Sequence, residues 1–411
     1  MHLFSSGMLA GSSPWVGLVV LLGFARCGGE TGSVAPMQAA VPRVDAALIE
    51  APAAAVPWSV REPKQAANTQ LECLAEGLRI AASFSGTVEI GGRSIRSGGG
   101  SDVFVAEFDA VGQLRTLSTV GGPGNDDVDA LDDGLLVLRA SDTFTLAGRT
   151  VDLPPPHQQY VNPSNTVVIA LGAAGQPKDV RAVIPNAAMV RAARLDGDDV
   201  VVAAHLYDEH GGPDPSSCVL SRWSAEGAVW TQPFADNFVA DLHVHEGAIS
   251  VASRHFGPDA LRLTALDAST GMVRAPSLAL PTTAEDWDAA AVVTDGVRLF
   301  GHHPLRDADP EAPVRPFVAK PGSPPTALAT HGRLYDADGD VALVSIPARS
   351  SLEHGGRTYR GVVLLDGERV ASMLEKGRNW RGCLAPTHAF VLAECEDEPC
   401  IVATPRIGSS D

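Results

Sequence analysis

Short apolar strands on either side of aspartate- and glycine-rich turns recur along the chain. Each copy has a short apolar strand, an Asp/Gly turn and a stronger strand of aliphatic or β-branched residues, as in ALDDGLLVLRAS from Ala130. Turns of this composition between two such strands are typical of β-hairpins. The pattern predicts seven hairpins, which begin at Cys73, Ala130, Arg194, Leu242, Val292, Leu334 and Cys383.

A second strand–turn–strand pattern follows most of these copies after a loop of variable length. Clear examples are DVFVAEFDAVGQLRTL (102–117) and CVLSRWSAEGAVWTQ (218–232), each with a glycine in its turn. Two hairpins make four strands, and four strands in roughly 40–50 residues are typical of one blade of a β-propeller. The sequence therefore predicts an all-β fold, a seven-bladed β-propeller of four-stranded antiparallel blades.

The seventh unit supplies one strand fewer than the others. Its strands are predicted at 381–386, 389–394 and 400–406, after which the chain ends. Residues 56–62 (VPWSVRE) precede the first unit and have the pattern of a short strand. We expect this N-terminal strand to complete the last blade and close the ring, which removes exposed sheet edges.

The N-terminal residues have the pattern of an export signal. The apolar run Trp15–Ala25 is too short to span a bilayer but fits the core of a signal peptide. Cys27 follows it, and the arrangement resembles a bacterial lipoprotein signal, in which the cysteine is lipidated. Arg26 departs from that pattern, so simple cleaved secretion remains the alternative, and an uncleaved anchor or a cytosolic protein stays open.

These features divide the chain into three parts. We predict a lipoprotein-like signal peptide at 1–27, a flexible linker rich in Ala, Pro, Gly and Val at 28–55, and the propeller at 56–408. The expected location is extracytoplasmic, on the outer membrane or the cell surface. Attachment to the membrane is expected through the lipid on Cys27 alone.

Charge and motifs exclude several classes of function. The 411-residue chain has a formal net charge of −18, which disfavours binding to nucleic acid. The sequence has no G-x-S-x-G nucleophile motif and no cysteine in a catalytic context. The glycine-rich segment 91–102 is not followed by a helix pattern, which argues against a phosphate-binding loop. We therefore predict no catalytic and no cofactor-binding residues. The protein is expected to be a monomer.

Acidic turns and histidines raise the question of metal binding. The segments 125–133, 196–199 and 336–340 are acidic, but similar Asp/Gly groups occupy the same place in five successive units and fit hairpin turns. We predict no metal site, with Asn125–Asp133 as the best single calcium candidate because it is more acidic than one turn requires. His243 and His245 alternate on one strand and should face the same side.

The cysteines suggest disulfide bonds. Cys395 and Cys400 flank EDEP in the last unit, and a bond across that short hairpin is the favoured prediction. Cys73 and Cys383 hold equivalent positions in the first and last units and form the less favoured pair. Their Cα atoms must lie within about 7 Å to bond, a distance that neighbouring blades often exceed. Cys218 is then left over and is expected to be buried.

The first unit resembles a known repeat family. Residues 84–92 (FSGTVEIGG), a glycine-rich turn and residues 101–106 (SDVFVA) are similar to the bacterial surface β-propeller repeat of SBBP type, over 84–127. Glu107 stands where that family has lysine. The resemblance implies an extracytoplasmic β-propeller and no particular activity. The segment 263–275 is similar to the quinoprotein repeat but lacks its closing tryptophan, so no cofactor is expected.

The function predicted from these observations is a binding or scaffold module at the cell surface. Its ligand is expected to be a protein or a glycan, and four variable loops would supply the binding surface: 154–165, 207–217, 304–314 and 350–358. The alternatives are a propeller enzyme acting on an extracellular polymer, as a glycan lyase or hydrolase, and a purely structural envelope protein. Three or more convergent ionisable groups with shifted pKa values would favour the enzyme.

Overall fold

The computed structural model describes strands and turns within one compact unit, Ile49–Asp411. The predicted signal peptide, Cys27 and the linker 28–55 lie outside the described residues. No helix among the residues that are described has the length and apolar character needed to cross a membrane. The described residues are 59–61, 66–109, 112–141, 143–154, 164–185, 187–207, 213–234, 237–255, 261–274, 278–280, 292–294, 298–303, 315–319, 326–328, 333–338, 341–346, 352–354, 357–359, 361–366, 369–374, 379–385, 388–395 and 398–405.

Seven four-stranded antiparallel sheets make up most of the described chain. After β1 (Ser59–Arg61), sheet 1 contains β2 (Ala66–Leu74), β3 (Gly77–Ile90), β4 (Arg93–Asp109) and β5 (Leu114–Val120). Sheet 2 contains β6 (Asp126–Asp132), β7 (Leu135–Ala140), β10 (Asn165–Leu171) and β11 (Pro177–Ile184), with β8 (Phe144–Leu146) and β9 (Arg149–Val151) as a separate hairpin. Sheet 3 contains β12 (Ala187–Asp196), β13 (Asp199–Tyr207), β14 (Pro213–Ser224) and β15 (Gly227–Pro233).

The remaining sheets repeat this arrangement. Sheet 4 contains β16 (Asn237–His245), β17 (Ala248–His255), β18 (Leu261–Asp267) and β19 (Leu278–Leu280), and sheet 5 contains β20 (Val292–Thr294), β21 (Leu299–His303), β22 (Arg315–Ala319) and β23 (Thr326–Ala327). Sheet 6 contains β24 (Arg333–Asp338), β25 (Val341–Ile346), β28 (Gly361–Asp366) and β29 (Arg369–Leu374), with the hairpin β26 (Leu352–His354) and β27 (Arg357–Tyr359). Sheet 7 contains β30 (Asn379–Leu384), β31 (His388–Cys395), β32 (Glu398–Pro405) and β1.

Three of the predicted Asp/Gly turns, at 133–134, 197–198 and 246–247, are present where the sequence placed them, and those at 295–297 and 339–340 lie outside the described residues. Asp133 and Gly134 have φ values of 52° and 69°, and Glu246 and Gly247 have 48° and 72°. Two successive residues with positive φ are typical of the two-residue turn whose twist matches that of the flanking strands. The prediction of an all-β fold of four-stranded antiparallel sheets is confirmed.

The first strands of successive sheets lie against one another. Contacts run from β2 to β6, and on through β12, β16, β20 and β24 to β30. Strand β30 in turn contacts β2. At the opposite edge of sheet 7, Ser59–Arg61 pairs antiparallel with β32, with Val60 opposite Ile401. The segment 56–62 thus contributes a strand to the sheet that the end of the chain forms.

The hydrophobic core lies between neighbouring sheets. Phe84, Phe104 and Phe108 of sheet 1 pack with Phe390 and Leu392 of sheet 7. Similar clusters join sheets 1 and 2, sheets 2 and 3, sheets 3 and 4, and sheets 6 and 7. Sheets 1, 2, 3 and 7 therefore bury both faces, which explains why their central strands are nearly continuous apolar runs instead of alternating apolar and polar residues.

Three sheets carry an extra hairpin between their second and third strands. It is an extension of β3 and β4 in sheet 1, β8–β9 in sheet 2 and β26–β27 in sheet 6. The three share similar turns, EIGGRSI, TLAGRTV and EHGGRTY. Their apolar side chains, including Val88, Phe144 and Leu352, join the cores between sheets. Part of 350–358, predicted as a variable loop, is therefore a core-forming hairpin.

Candidate functional site

The first strands of several sheets bring charged side chains together around Arg194. Its guanidinium on β12 pairs with Asp132 at 2.6 Å (Nη1 to Oδ2) and with Asp241 at 2.7 Å (Nη2 to Oδ1). Asp133 and Asp336 also act electrostatically on Arg194. We call these five residues, drawn from sheets 2, 3, 4 and 6, the Arg194 cluster.

Negative charge exceeds positive charge in the Arg194 cluster. Burial by itself would lower the pKa of Arg194, but the carboxylates, above all Asp132 and Asp241, raise it above its usual range. Arg194 therefore stays charged and holds two carboxylates from the strands on either side of its own. The side chain of Asp132 is 52% exposed, so the cluster reaches solvent at the end of β6.

Asp336 has the most perturbed carboxyl group of the cluster. Burial is the main cause that raises its pKa to about 7, and the charges of Asp132 and Asp241 add to the shift. Two backbone N–H groups oppose it: Leu384 donates to Oδ2 and Ala337 to Oδ1, both at 2.8 Å. Because each oxygen accepts a hydrogen bond from the backbone, the carboxyl group of Asp336 is held in place between sheets 6 and 7.

Hydrogen bonds from a backbone N–H of one sheet to a carboxylate of its neighbour also link other pairs of sheets. Glu72 Oε1 accepts the N–H of Gly134 at 2.6 Å, which ties sheet 1 to sheet 2. Asp133 Oδ2 accepts the N–H of Leu195 at 2.8 Å, which ties sheet 2 to sheet 3. Asp336 and Leu384 tie sheet 6 to sheet 7. Asp133 and Asp336, which the sequence explains as turn residues, thus also cross-link successive sheets, as does Glu72 of β2, and no single chain segment indicates this.

A second buried charge network lies in sheet 1. Arg79 pairs with Glu72 at 2.6 Å (Nη1 to Oε2) and with Glu107 at 3.3 Å (Nη2 to Oε2). Burial raises the pKa of Glu72, while Arg79 and the Gly134 N–H lower it. Glu107 and Glu72 together hold the buried guanidinium of Arg79 within sheet 1.

The candidate metal ligands do not come together as one group. The rings of His243 and His245 lie 6.2 Å apart, but His245 is exposed, 3.5 Å from Glu246. Across the described part of the chain, no three His, Cys, Asp or Glu side chains form a group that could hold a metal ion. The segment 125–133 is largely the extended strand β6, so its acidic residues spread along the sheet. Asp129 pairs with Arg139 at 2.8 Å and Asp132 with Arg194, which argues against Asn125–Asp133 as one calcium loop.

The disulfide in the structure is the less favoured pair of the sequence. Cys73 on β2 and Cys383 on β30 are bonded, with their Cα atoms 5.8 Å apart. Both cysteines lie on first strands, and the contact between β2 and β30 brings the pair within bonding range. The side chains of Cys395 and Cys400 lie outside the described residues, so their bond stays a prediction. Cys218 is 1% exposed, which confirms that it is buried.

Titration of Asp336 should make the protein less stable as pH rises. Its pKa is about 7 in the folded chain, against about 3.9 for an unperturbed aspartate. The folded state therefore holds this proton more tightly, and the resulting stability is present below pH 4 and lost as pH rises through 7. Melting temperatures measured from pH 4 to pH 8 should fall. The fall should be smaller in Asp336→Asn than in the exposed control Asp179→Asn, and an equal fall in both would contradict the assignment.

Comparisons with known proteins give low similarity. No protein-family model and no curated protein matches the chain. The β-propeller domain of the Trilobed protease from Pyrococcus furiosus is 10% identical, covers 84% of this chain and 94% of that chain, and has a TM-score of 0.48. BamB from Moraxella catarrhalis is 10% identical, covers 84% of this chain and 92% of that chain, and has a TM-score of 0.35. The Cps50 (Swd1) β-propeller domain of Myceliophteria thermophila is 12% identical, covers 85% of this chain and 99% of that chain, and has a TM-score of 0.47. Such similarity carries no argument about function.

Proposed function

We propose that this protein is a closed, seven-bladed β-propeller that acts outside the cytoplasm as a binding or scaffold module. Each sheet would be one blade, with its first strand nearest the axis. The contact of β2 with β30, the bond between Cys73 and Cys383, and the pairing of β1 with β32 support closure between the first and last blades. Full closure would leave no sheet edge between those two blades.

One observation carries the binding role. The four variable loops, in sheets 2, 3, 5 and 6, all connect the second strand of a sheet to the third. Because the blades are traversed in the same order, connections at this position would emerge at the same end of the ring. Most residues of these loops lie outside the described residues, so the argument rests on the strands that flank them. The proposed ligand is a protein or a glycan of the cell surface.

The disulfide supports a location outside the cytoplasm. Disulfide bonds persist in oxidising compartments and are rare in the cytosol of mesophiles. With the signal-like run Trp15–Ala25, this supports export, and we propose Cys27 as the site of lipid attachment. The mass of the exported chain distinguishes the two routes, since a lipidated protein begins at Cys27 with an added diacylglyceryl group.

Catalysis is the second candidate function, because Asp133, Arg194 and Asp336 converge and have shifted pKa values. A carboxyl group that titrates near pH 7 suits general acid–base chemistry. The hydrogen bonds that Asp133 and Asp336 accept between sheets favour a structural role for both. Release of products from purified cell-surface glycans by the wild-type chain, and its loss in Asp336→Asn, would favour the enzyme over the binding module.

Exchange of one variable loop tests the binding role. Residue 207 and residues 213–217 of the predicted loop belong to β13 and β14, so only 208–212 are exchanged. Replacing 208–212 with a Gly/Ser segment of equal length should abolish capture of the cell-surface ligand, because that loop is proposed to contact it. The matched control replaces Ala173 and Ala174, in the turn at the opposite end of sheet 2, with serine. Ligands retained by each immobilised chain are identified by mass spectrometry. Equal recovery by the loop variant and the wild type, or no specific ligand at all, would reject a binding surface at this end.

A further inference from the structure

Two backbone segments approach each other closely between sheets 1 and 2. The glycine run Gly98–Gly100 in β4 lies against residues 121–125, which connect β5 to β6. The N–H of Gly100 donates to the carbonyl oxygen of Gly124 at 2.9 Å, and the N–H of Ser101 donates to Asn125 Oδ1 at 3.2 Å. A side chain at position 99 would overlap the carbonyl groups of Gly122 and Pro123. Only glycine fits there, and the approach brings several carbonyl oxygens close to one another.

Asp102 places a carboxylate at this contact. It is 5% exposed, and its Oδ2 accepts the N–H of Gly98 at 2.6 Å. Its buried Oδ1 has no hydrogen-bond partner and lies against the Cα atom of Gly121. A buried oxygen without a donor is costly.

A second buried carboxylate holds the same connection from the other sheet. Asp126 is 1% exposed, and its Oδ2 accepts the N–H of Gly122 at 2.8 Å. Further along β6, Asp129 and Asp132 are paired with Arg139 and Arg194. Among the described residues, no arginine or other positively charged side chain pairs with Asp102. The contact thus combines carboxylate, amide and carbonyl oxygens with an oxygen that lacks a donor.

We propose that Asp102, Asn125 and Asp126, together with carbonyl oxygens of residues 122–124, bind a Ca²⁺ ion between sheets 1 and 2. Calcium takes six to eight oxygen ligands and accepts carbonyl, amide and water oxygens beside carboxylates. Two carboxylates with no nitrogen or sulfur donor suit such a hard cation better than zinc. The ion supplies the positive partner that Asp102 Oδ1 lacks. This site covers only the first two residues of the acidic segment 125–133.

Calcium titration of the full-length chain tests this site. Ca²⁺ should bind with a dissociation constant of about 10⁻⁴–10⁻³ M, the range of extracellular modules, and should raise the melting temperature. Asp102→Asn keeps an acceptor for Gly98 but removes the charge, so heat and temperature shift should both be lost. Asn125→Ala removes an exposed ligand and should weaken binding by about tenfold or more.

Asp132→Asn is the matched control, because it removes a carboxylate at the end of β6, the strand that begins with the proposed ligand Asp126. Its calcium affinity should equal that of the wild type. Absence of both heat and temperature shift in the wild-type chain would overturn the proposal. Wild-type affinity in Asp102→Asn and Asn125→Ala, or loss of binding in Asp132→Asn, would overturn the placement of the ion at Asp102.

Discussion

Replacing both Cys73 and Cys383 with serine should lower the free energy of unfolding by about 5 kcal/mol. The two cysteines are 310 residues apart, so their bond restricts almost the whole unfolded chain. The entropy that the unfolded chain loses when a loop is closed grows with the logarithm of the loop length. This places the stabilisation from the Cys73–Cys383 bond near the upper end of the usual range for disulfides. Urea denaturation of the oxidised wild type and of the double variant gives the difference directly.

The pair Cys395 and Cys400 supplies the matched control. A bond across that short hairpin would restrict few residues, so replacing both with serine should cost about 2 kcal/mol on the same entropy argument. Reducing the wild type should remove the contributions of both bonds, whereas reducing the Cys73/Cys383 variant should remove only the smaller contribution of the Cys395–Cys400 bond. If the Cys395/Cys400 variant instead lost more stability than the Cys73/Cys383 variant, the disulfide that dominates stability would lie within sheet 7.

Deleting residues 50–65 should lower the melting temperature by about 10 °C, which corresponds to about 3–5 kcal/mol in a large domain. The deletion removes β1 and leaves the backbone groups of β32 unpaired at the edge of sheet 7. An open edge of this kind pairs with other chains, so the variant should also form aggregates at concentrations where the wild type remains monomeric. Calorimetry and size-exclusion chromatography measure the two effects.

Deletion of 28–49 is the control, because it removes a similar length of chain ahead of β1. It should change neither the melting temperature nor the elution volume. An unchanged melting temperature after deletion of 50–65 would mean that β1 contributes nothing to the stability of sheet 7. The interpretation of Ser59–Arg61 as a ring-closing strand would then be wrong.

The acidic turns show where local and tertiary effects divide. The positive φ values of Asp133 and Gly134 follow from the local sequence, because aspartate and glycine tolerate that conformation. The bond from Asp133 to the N–H of Leu195 depends on how two sheets pack, and no local pattern specifies it. The same holds for Glu72 and Asp336. An acidic residue near the end of several first strands, as at Glu72, Asp133 and Asp336, is a sequence signal that could have indicated these links.

The extra hairpins form a second repeat, whose presence the sequence indicates and whose packing only the tertiary structure explains. The segments at 89–95, 145–151 and 353–359 share a glycine–arginine turn, and comparing them with each other would have revealed the repeat. They sit at unequal distances from the main turns, which is why the dominant repeat obscures them. Their apolar side chains are then explained by the space between sheets, which Val88 and Phe144 fill.

The sequence by itself determined most strands of the four-stranded sheets, their turns and the number of hairpin units, because backbone propensity and the distribution of apolar residues act over a few neighbouring positions. It also indicated that residues 56–62 form a strand outside the first unit. Only the tertiary structure decided which residues meet across sheets: Cys73 with Cys383, Arg194 with Asp132 and Asp241, and Asp102 with Gly121. Such contacts join positions far apart in the chain, and their distances depend on the packing of whole sheets. The strand at 59–61 and its place in the last sheet therefore follow from local pattern and strand count, whereas its register, with Val60 opposite Ile401, depends on packing.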